Sequence, residues 1–337
     1  MSVTQEDIAQ KLNISRRLVG YALSGHPGVN ESTRRQIEEM AHGMGYRPHR
    51  VAQALASGHT YQIALCFPCL AGSYYSEIIS QFEILTRGTP YHVVITSFDP
   101  ENPDADYKPL TVDGTIFVAP ASQMPRMLQP PVVVMQSELR RPMAAGEEKL
   151  DRIQLNIGDA TRDAIGHLLD QGFERFLYVA PQHMMHSREP RFYGYCEMLN
   201  NAGLQYALLP LEVPGEQRLR QQARQMLLCY FEERELPQAI FCGNDDVAIA
   251  AYRALDQLGY HIPGDVAIVG FDDLDEVQYL HPPLTSVHLP VETLCANAWR
   301  MLMERLENPA LPPRYEQFPA HLVVRQSSTG KSAVPAQ

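Results

Sequence analysis

Two arginines stand where a short predicted helix begins, and side chains at that position could read DNA bases. Ser15 is a good helix cap, and Arg16 and Arg17 follow it directly. Arginine can donate two parallel hydrogen bonds to guanine, which is the commonest base-specific contact of DNA-binding proteins. Base reading of this kind needs a rigid helix that fits the major groove.

The residues around these arginines predict the helices that would position them. Thr4 and Asp7 have the spacing of a capping box at the start of a first helix, and Asn13 tolerates the left-handed backbone of a tight turn. On the second helix an apolar face opposes a polar one made of Arg16, Arg17 and Tyr21. Asn30 is expected to cap a third helix, with an inner side of Ile37, Met40, Ala41 and Met44. A small three-helix bundle with solvated arginines is the alternative.

A short apolar segment follows this head. Pro48 blocks helix formation before it, and Val51–Ala56 then reads as a single helical stretch. Isolated helices below roughly 12–15 residues are marginal in water. The segment is therefore expected to fold on a partner.

Together these spaced elements, from Val3 to Leu55, resemble the head of the lactose/galactose repressor (LacI/GalR) family of bacterial transcription regulators. The resemblance implies that the short segment is a hinge helix that pairs across a dimer. Leu55 matches the leucine that opens a base step in the minor groove, and such a wedge bends DNA. Gly20 and His49 depart from the family pattern. The candidate DNA-binding residues are Thr4, Ser15, Arg16, Arg17, Tyr21, Arg34, Ala52 and Leu55.

Charge is unevenly distributed along the 337 residues. Residues 1–59 hold seven Lys or Arg and five Asp or Glu, a net charge of +2. Because the whole chain carries −11, the remaining residues carry −13. An acidic body with a mildly basic head is expected to bind double-stranded DNA through the head alone, with salt-sensitive affinity.

The body from about residue 60 alternates strand-like and helical patterns. Apolar runs recur at Ile63–Phe67, His92–Thr96, Gly114–Val118, Val132–Met135, Phe176–Val179, Ala239–Phe241, Val266–Val269 and His321–Val324. Such alternation predicts an α/β fold with two parallel, doubly wound sheets covered by helices on both faces. Ligands of open α/β sheets bind beyond the carboxyl ends of the strands, which here means a cleft between two lobes.

The family resemblance continues through this body. It is carried by Gly270-Phe271-Asp272-Asp273, by Gly243-Asn244-Asp245 and by Arg191-Phe192-Tyr193-Gly194-Tyr195. It implies the fold of periplasmic sugar-binding proteins, with a chain that crosses repeatedly between lobes. The expected organisation is a helix-turn-helix head at 1–47, a hinge and linker at 48–59, an effector-binding and dimerisation domain at 60–327 and a flexible tail at 328–337. Within that domain we expect an N-lobe of about 60–156 and 289–317 and a C-lobe of about 157–286 and 318–327.

Three polar residues are the main candidates for holding a small-molecule effector. Arg191 offers a rigid fork of donors, Asn244 both donates and accepts, and Asp272 accepts. Each has a structural alternative: Arg191 could pair with surface acids, Asn244 could cap a helix and Asp272 could hold a loop.

Further candidates depart from the family pattern. Tyr74 and Tyr75 follow the first strand and could stack on a ligand, or belong to the core. Gln136 stands where sugar-binding members often have an acid, residues 209–217 lack an aromatic that stacks on ligands, and 99–113 is short for a helix. A sugar, sugar derivative or nucleoside is the expected effector.

The competing class is a small-molecule-binding α/β enzyme. No glycine-rich phosphate loop, nucleophile elbow or zinc-binding His pair is found, so no catalytic residue, cofactor or metal is expected. The spacing of Cys66 and Cys69 would suit a redox pair, but both can pack as small hydrophobic residues. No run of about 18 apolar residues and no signal peptide is seen, which predicts a cytoplasmic protein without membrane contact.

These observations predict a homodimeric, ligand-controlled regulator, most simply a repressor that reads a pseudo-palindromic operator. The tail after Ser328 lacks heptads that would build a tetramer. Whether the effector releases the protein from DNA or drives it onto DNA stays open.

Overall fold

The computed structural model describes residues 3–23, 26–46, 58–105, 107–129, 131–138, 146–186, 188–212 and 218–329. The chain divides into two compact units, Met1–Thr60 and Tyr61–Gln337. Most of the expected hinge, with Ala52 and Leu55, lies outside the described residues.

The first unit is a three-helix head of α1 (Gln5–Leu12), α2 (Arg16–Leu23) and α3 (Glu31–Gly43). The predicted caps are confirmed. Thr4 and Asp7 form both bonds of a capping box, and the Asn30 side chain accepts from the Thr33 amide. Asn13 ends α1 with a φ of 54°, the left-handed turn that its short polar side chain tolerates. Ile8, Val19 and Ile37 form the buried centre of this unit.

The second unit contains two six-stranded sheets. The N-lobe sheet contains β1 (Gln62–Phe67), β2 (His92–Ser97), β3 (Gly114–Val118), β4 (Val132–Ser137), β5 (Asp151–Asn156) and β11 (Tyr315–Pro319). The C-lobe sheet contains β6 (Phe176–Pro181), β7 (Tyr206–Leu211), β8 (Ala239–Cys242), β9 (Ala267–Asp272), β10 (Thr285–His288) and β12 (His321–Val323). The strand orders are β11-β5-β4-β3-β1-β2 and β12-β10-β9-β8-β6-β7.

Strand direction confirms the expected parallel sheets, with one exception. All described pairs of the N-lobe sheet are parallel, but β12 runs antiparallel to β10 at the edge of the C-lobe sheet. The two sheets are therefore mostly rather than wholly parallel. Antiparallel edge strands on otherwise parallel sheets are common.

Helices cover the sheets of both lobes. In the N-lobe, α4 (Ser73–Thr86) and α9 (Val291–Glu307) pack against each other and against the sheet. The C-lobe helices are α5 (Gly158–Asp170), α6 (Pro190–Asn201), α7 (Leu219–Glu233) and α8 (Asp245–Leu258). The chain passes between the lobes after β5, after β10 and between β11 and β12. Each lobe is thus built from separate stretches of sequence.

Four strands lie outside the apolar runs recognised in the sequence: β5, β7, β10 and β11. In β5 only alternate side chains are buried, and β7 and β11 are edge strands with largely exposed side chains. Strands of this kind carry polar residues and proline, so they do not read as continuous hydrophobic segments. Among the described residues, no helix is both long and apolar enough to cross a membrane.

Gly270 has a steric role inside β9 that can be tested. A Cβ there would collide with Asp245 Oδ1 and lie 2.8 Å from Leu284 Cδ2, in a part of the C-lobe where both neighbours are fully buried. We expect Gly270→Ala to cost about 1–3 kcal/mol of unfolding free energy, as overpacking does in a dense core.

Urea unfolding followed by circular dichroism measures this cost. The matched control is Gly264→Ala, because a Cβ at Gly264 meets nothing nearer than 3.6 Å. Equal midpoints for the two variants would show that β9 and Asp245 have room for a methyl group.

Candidate ligand cleft and nucleic-acid interface

Arg16 and Arg17 lie exposed in the first turn of α2. Arg17 donates from Nε and Nη2 to the Tyr21 hydroxyl at 2.8 and 2.6 Å, and its guanidinium lies 5.1 Å from the centre of the tyrosine ring. The Tyr21 ring stacks on His26, with centroids 4.5 Å apart. Tyr21 thus holds Arg17 against the helix, next to the exposed Arg16.

The other head candidates have partners within the head. Arg34 donates to the carbonyls of His26 and Ala22 at 2.8 and 3.3 Å, which ties α3 to the end of α2. Ser15 Oγ accepts from the Leu18 amide at 3.2 Å, and Thr4 takes part in its capping box. These bonds give Thr4, Ser15 and Arg34 structural roles within the head, whereas the bonds of Arg17 stay on the exposed surface of α2.

In the body, Arg191 is the most closely surrounded of the cleft candidates. It begins α6, donates from Nε to Glu189 at 2.8 Å and from Nη1 to the Gly243 carbonyl at 2.9 Å. Its guanidinium lies 4.6 Å from the centre of the Phe271 ring. Burial opposes the charge, but the carboxylates of Glu189 and Asp272 outweigh it and raise the pKa of Arg191. The arginine is a fixed positive charge.

Asp272 and Tyr74 lie beside this arginine. Asp272 ends β9 at the carboxyl edge of the C-lobe sheet, with a φ of 111° and 8% of its surface exposed. Tyr74 belongs to α4 of the N-lobe, and its pKa is raised by burial and then by the Asp272 carboxylate, while Arg191 lowers it. The structure therefore brings one N-lobe residue and two C-lobe residues within electrostatic reach of one another.

Asn244 follows β8 and caps α8, which is the structural role considered for it above. Its Oδ1 accepts from the Val247 amide at 2.9 Å. The cap uses the carbonyl oxygen alone and leaves the Nδ2 amide to donate elsewhere. Asn244 also follows Gly243, whose carbonyl holds Arg191, so it lies at the same edge of the sheet.

Two candidates have other structural roles. The Tyr75 ring packs on Phe67 with centroids 5.4 Å apart, at the edge of the N-lobe core. Gln136 is buried, and its Oε1 accepts from the Ala121 amide at 2.9 Å, which fixes the turn after β3.

Sequence reasoning missed the role of Asp245, which is fully buried behind the cleft. Its carboxylate accepts from the Leu274 amide at 2.9 Å and from Ser286 Oγ at 2.7 Å, and so anchors the loop that follows Asp272. Burial raises its pKa to about 7, although those hydrogen bonds lower it. An Asn-Asp-Asp run at a strand end was visible in the sequence, but its tertiary partners were not.

The cysteines and possible metal ligands have no shared site in the described part of the chain. All six cysteines are free, and burial raises the pKa of the Cys66 thiol to about 12. Cys69 Sγ contacts the Ala71 carbonyl oxygen at 3.3 Å instead of Cys66. Among the described residues, no three His, Cys, Asp or Glu side chains are grouped to hold a metal ion.

Known proteins share this architecture. A periplasmic binding protein-like domain matches residues 165–328. Catabolite control protein A of Priestia megaterium is 28% identical, covering 97% of this chain and 100% of that protein. A lac repressor dimer bound to operator and the anti-inducer ONPF superposes with a TM-score of 0.74 at 20% identity, covering 98% of this chain and 100% of that one. A LacI family regulator from Enterococcus faecium with bound ribose gives 0.65 at 21% identity, covering 79% and 98%.

A helix-turn-helix head followed by a periplasmic-binding-protein-like body defines a class of protein, the ligand-responsive DNA-binding transcriptional regulators. Similarity to catabolite control protein A along nearly the whole chain, together with a fold shared with LacI family regulators, supports a place in the lactose/galactose repressor family.

The raised pKa of Asp245 predicts a pH dependence of stability. A carboxyl group whose pKa is higher in the folded than in the unfolded protein stabilises the fold below about pH 4, and this contribution disappears as the pH rises through the folded value near 7. Relative to Asp245→Asn, the wild-type protein should therefore lose unfolding free energy between about pH 5 and pH 8.

Urea unfolding of both proteins at several pH values in this range gives the difference directly. The comparison with the asparagine variant removes the contribution of the histidines, which both proteins share. A difference that stays constant with pH would mean that Asp245 is ionised throughout.

Proposed function

We propose that this chain is a homodimeric, cytoplasmic repressor whose DNA binding is controlled by a small polar effector, most simply a sugar, sugar derivative or nucleoside. The observation that carries the proposal is the position of Arg191 at the carboxyl edge of the C-lobe sheet, where it bonds to the Gly243 carbonyl and lies over the ring of Phe271, next to Asp272. Parallel α/β sheets bind their ligands at this edge.

The chemistry of the cleft supports a ligand rich in hydroxyl or ring-amide groups. Asp272 accepts hydrogen bonds, Arg191 and the Asn244 amide donate them, and Tyr74 offers both a ring face and a hydroxyl. Among solved structures of similar fold, LacI family regulators from Enterococcus faecium and Enterococcus faecalis have ribose bound. These four residues are the proposed effector contacts; Tyr75 and Gln136 are proposed to support them, Tyr75 through α4 and Gln136 through the turn at Ala121.

The head supports recognition of a pseudo-palindromic operator. The first turn of α2 is where a recognition helix reaches base edges, and paired heads would read half-sites about one helical turn of DNA apart. Ala52 and Leu55 stay predicted minor-groove contacts, on the family resemblance alone. The lac repressor whose fold is similar is a dimer on its operator, which supports the same assembly here.

An α/β enzyme is the alternative class. The catabolite control relatives align along nearly the whole chain, head included, which favours the regulator. The observation that would favour an enzyme is turnover of a compound that binds the cleft.

Base reading by Arg17 can be tested directly. The Tyr21 hydroxyl already orients the guanidinium of Arg17, and a good bidentate contact to guanine gives about 1–3 kcal/mol of discrimination. Arg17→Ala should therefore relax base preference at one position in each half-site, as measured by selection from a randomised DNA pool.

Arg35→Ala is the control, since Arg35 lies exposed on α3 and pairs only with Glu31 at 3.5 Å. An Arg17→Ala pool with the wild-type base preferences would remove Arg17 from the reading surface.

The effector site is tested by a thermal-shift screen of sugars and nucleosides, followed by calorimetry on each compound that binds. Arg191→Ala should weaken binding about tenfold or more, because loss of a buried charged hydrogen-bonding partner costs at least 1–3 kcal/mol. Binding of DNA by the same variant should persist.

Arg191→Lys separates charge from shape, since lysine keeps the charge but loses the planar fork. Arg253→Ala is the surface control, because Arg253 pairs only with the exposed Asp256 on α8. Unchanged affinity in Arg191→Ala would place the ligand elsewhere.

A further inference from the structure

A polar cluster joins the two lobes directly. Ser73, at the start of α4 in the N-lobe, donates from its amide to Asp246 Oδ2 at 3.1 Å and from Oγ to Oδ1 at 2.9 Å. Asp246 belongs to the first turn of α8 in the C-lobe. A single carboxylate therefore binds the N-terminus of a helix in the opposite lobe.

Arg220 completes this cluster. From α7 of the C-lobe it donates from Nε to Asp246 Oδ1 at 2.6 Å, and from Nη2 to Glu276 at 2.7 Å and to Ser73 Oγ at 3.1 Å. One guanidinium therefore bonds to both lobes at once. We call Ser73, Arg220, Asp246 and Glu276 the cross-lobe cluster.

The position of the cluster favours strong bonds. The Asp246 side chain is 9% exposed, whereas that of Arg220 is 44% exposed. Hydrogen bonds with an ionised partner are stronger than neutral ones, and a helix N-terminus favours a negative charge. Asp246 supplies that charge to α4, which has no side-chain cap of its own at Gly72.

The cluster opposes a local repulsion. Glu77, one turn further along α4, lines the same cavity as the C-lobe carboxylates Asp275 and Glu276. Burial and then those carboxylates raise the pKa of Glu77, while His288 lowers it. A cavity of about 380 Å³ lies between the lobes here, lined by Ser73, Ser76, Glu77, Leu274, Asp275 and Glu276.

We propose that the cross-lobe cluster is a latch that holds the lobes together through protein groups alone, with Arg220 as its positioning residue. The like charges on either side of the cavity favour separation of the lobes. The latch and the repulsion together set how readily the cleft opens, whatever occupies it. This inference concerns the body alone and does not depend on the identity of an effector.

Hydrogen exchange of the full-length protein, without added compounds, tests the latch. Arg220→Ala on the C-lobe should speed amide exchange at the start of α4 on the N-lobe by about fivefold or more, as expected for loss of a partly exposed ion pair. Asp246→Asn, which keeps the size of the side chain, should do the same. Exchange in the β8 and α8 peptides should stay at the wild-type rate in Arg220→Ala, which separates lobe opening from local unfolding.

Arg224→Ala is the matched control, because Arg224 lies one turn further along α7 and bonds to Gln257 of the same lobe at 2.8 Å. Small-angle X-ray scattering should show a larger radius of gyration for Arg220→Ala and Asp246→Asn but not for Arg224→Ala. Wild-type exchange at the start of α4 in both latch variants, or equal acceleration by Arg224→Ala, would overturn the proposal.

Discussion

The carboxyl end of β8 connects to α8 through two residues, Gly243 and Asn244, and this junction is the constraint on which the body depends. Four consecutive residues there have four separate partners. The Gly243 carbonyl holds Arg191, Asn244 caps the helix, Asp245 anchors the loop after β9, and Asp246 crosses to the N-lobe. A helix start supplies the geometry, because its backbone donors need acceptors and its side chains diverge. One junction therefore positions the residues that line the cleft, support its loop and join the two lobes.

The junction also explains why the core around it tolerates little change. Asp245 is buried among apolar residues of the C-lobe, and Gly270 leaves the space that its carboxylate occupies. A buried carboxyl group is stable there only because backbone and hydroxyl donors satisfy it. Tight packing and hydrogen bonding therefore both constrain the Asp245 carboxylate. The glycine of the Gly-Phe-Asp-Asp motif in β9 is required by this packing.

Much of this fold could be predicted because buried parallel strands are written as continuous apolar runs. β1, β3 and β8 were read correctly on that basis, and the helix caps at Thr4 and Asn30 follow from local chemistry alone. Edge strands such as β7 and β11 could not be predicted, since their stability comes from neighbours distant in sequence. β12 was recognised as an apolar run, but its antiparallel direction could not be predicted for the same reason.

For the candidate site, residue types could be predicted from the sequence, but contacts between distant segments could not. Arg191, on a helix, and Asp272, at a strand end, could be named from their residue types and from family resemblance, and the structure brings them within electrostatic reach of each other. The ion pair with Glu189 was local in sequence but invisible without the turn at Pro190. Contacts of Arg220 with Ser73 and Glu276 span two lobes and long stretches of chain, so no local pattern encodes them. The proposed base-reading residues Arg16 and Arg17 are exposed, so packing in the head does not encode their targets, which follow from arginine chemistry and family resemblance.

A ligand-controlled regulator must couple DNA binding to effector binding, and thermodynamic linkage measures that coupling. Calorimetry measures the affinity of the strongest-binding sugar or nucleoside with and without operator DNA. The affinity for operator DNA is then measured with and without that compound, at the same salt concentration. Linkage requires that the affinity of each ligand changes by the same factor when the other ligand is bound, about fivefold to 150-fold in either direction. A factor of one, with both ligands bound, would contradict a ligand-controlled regulator.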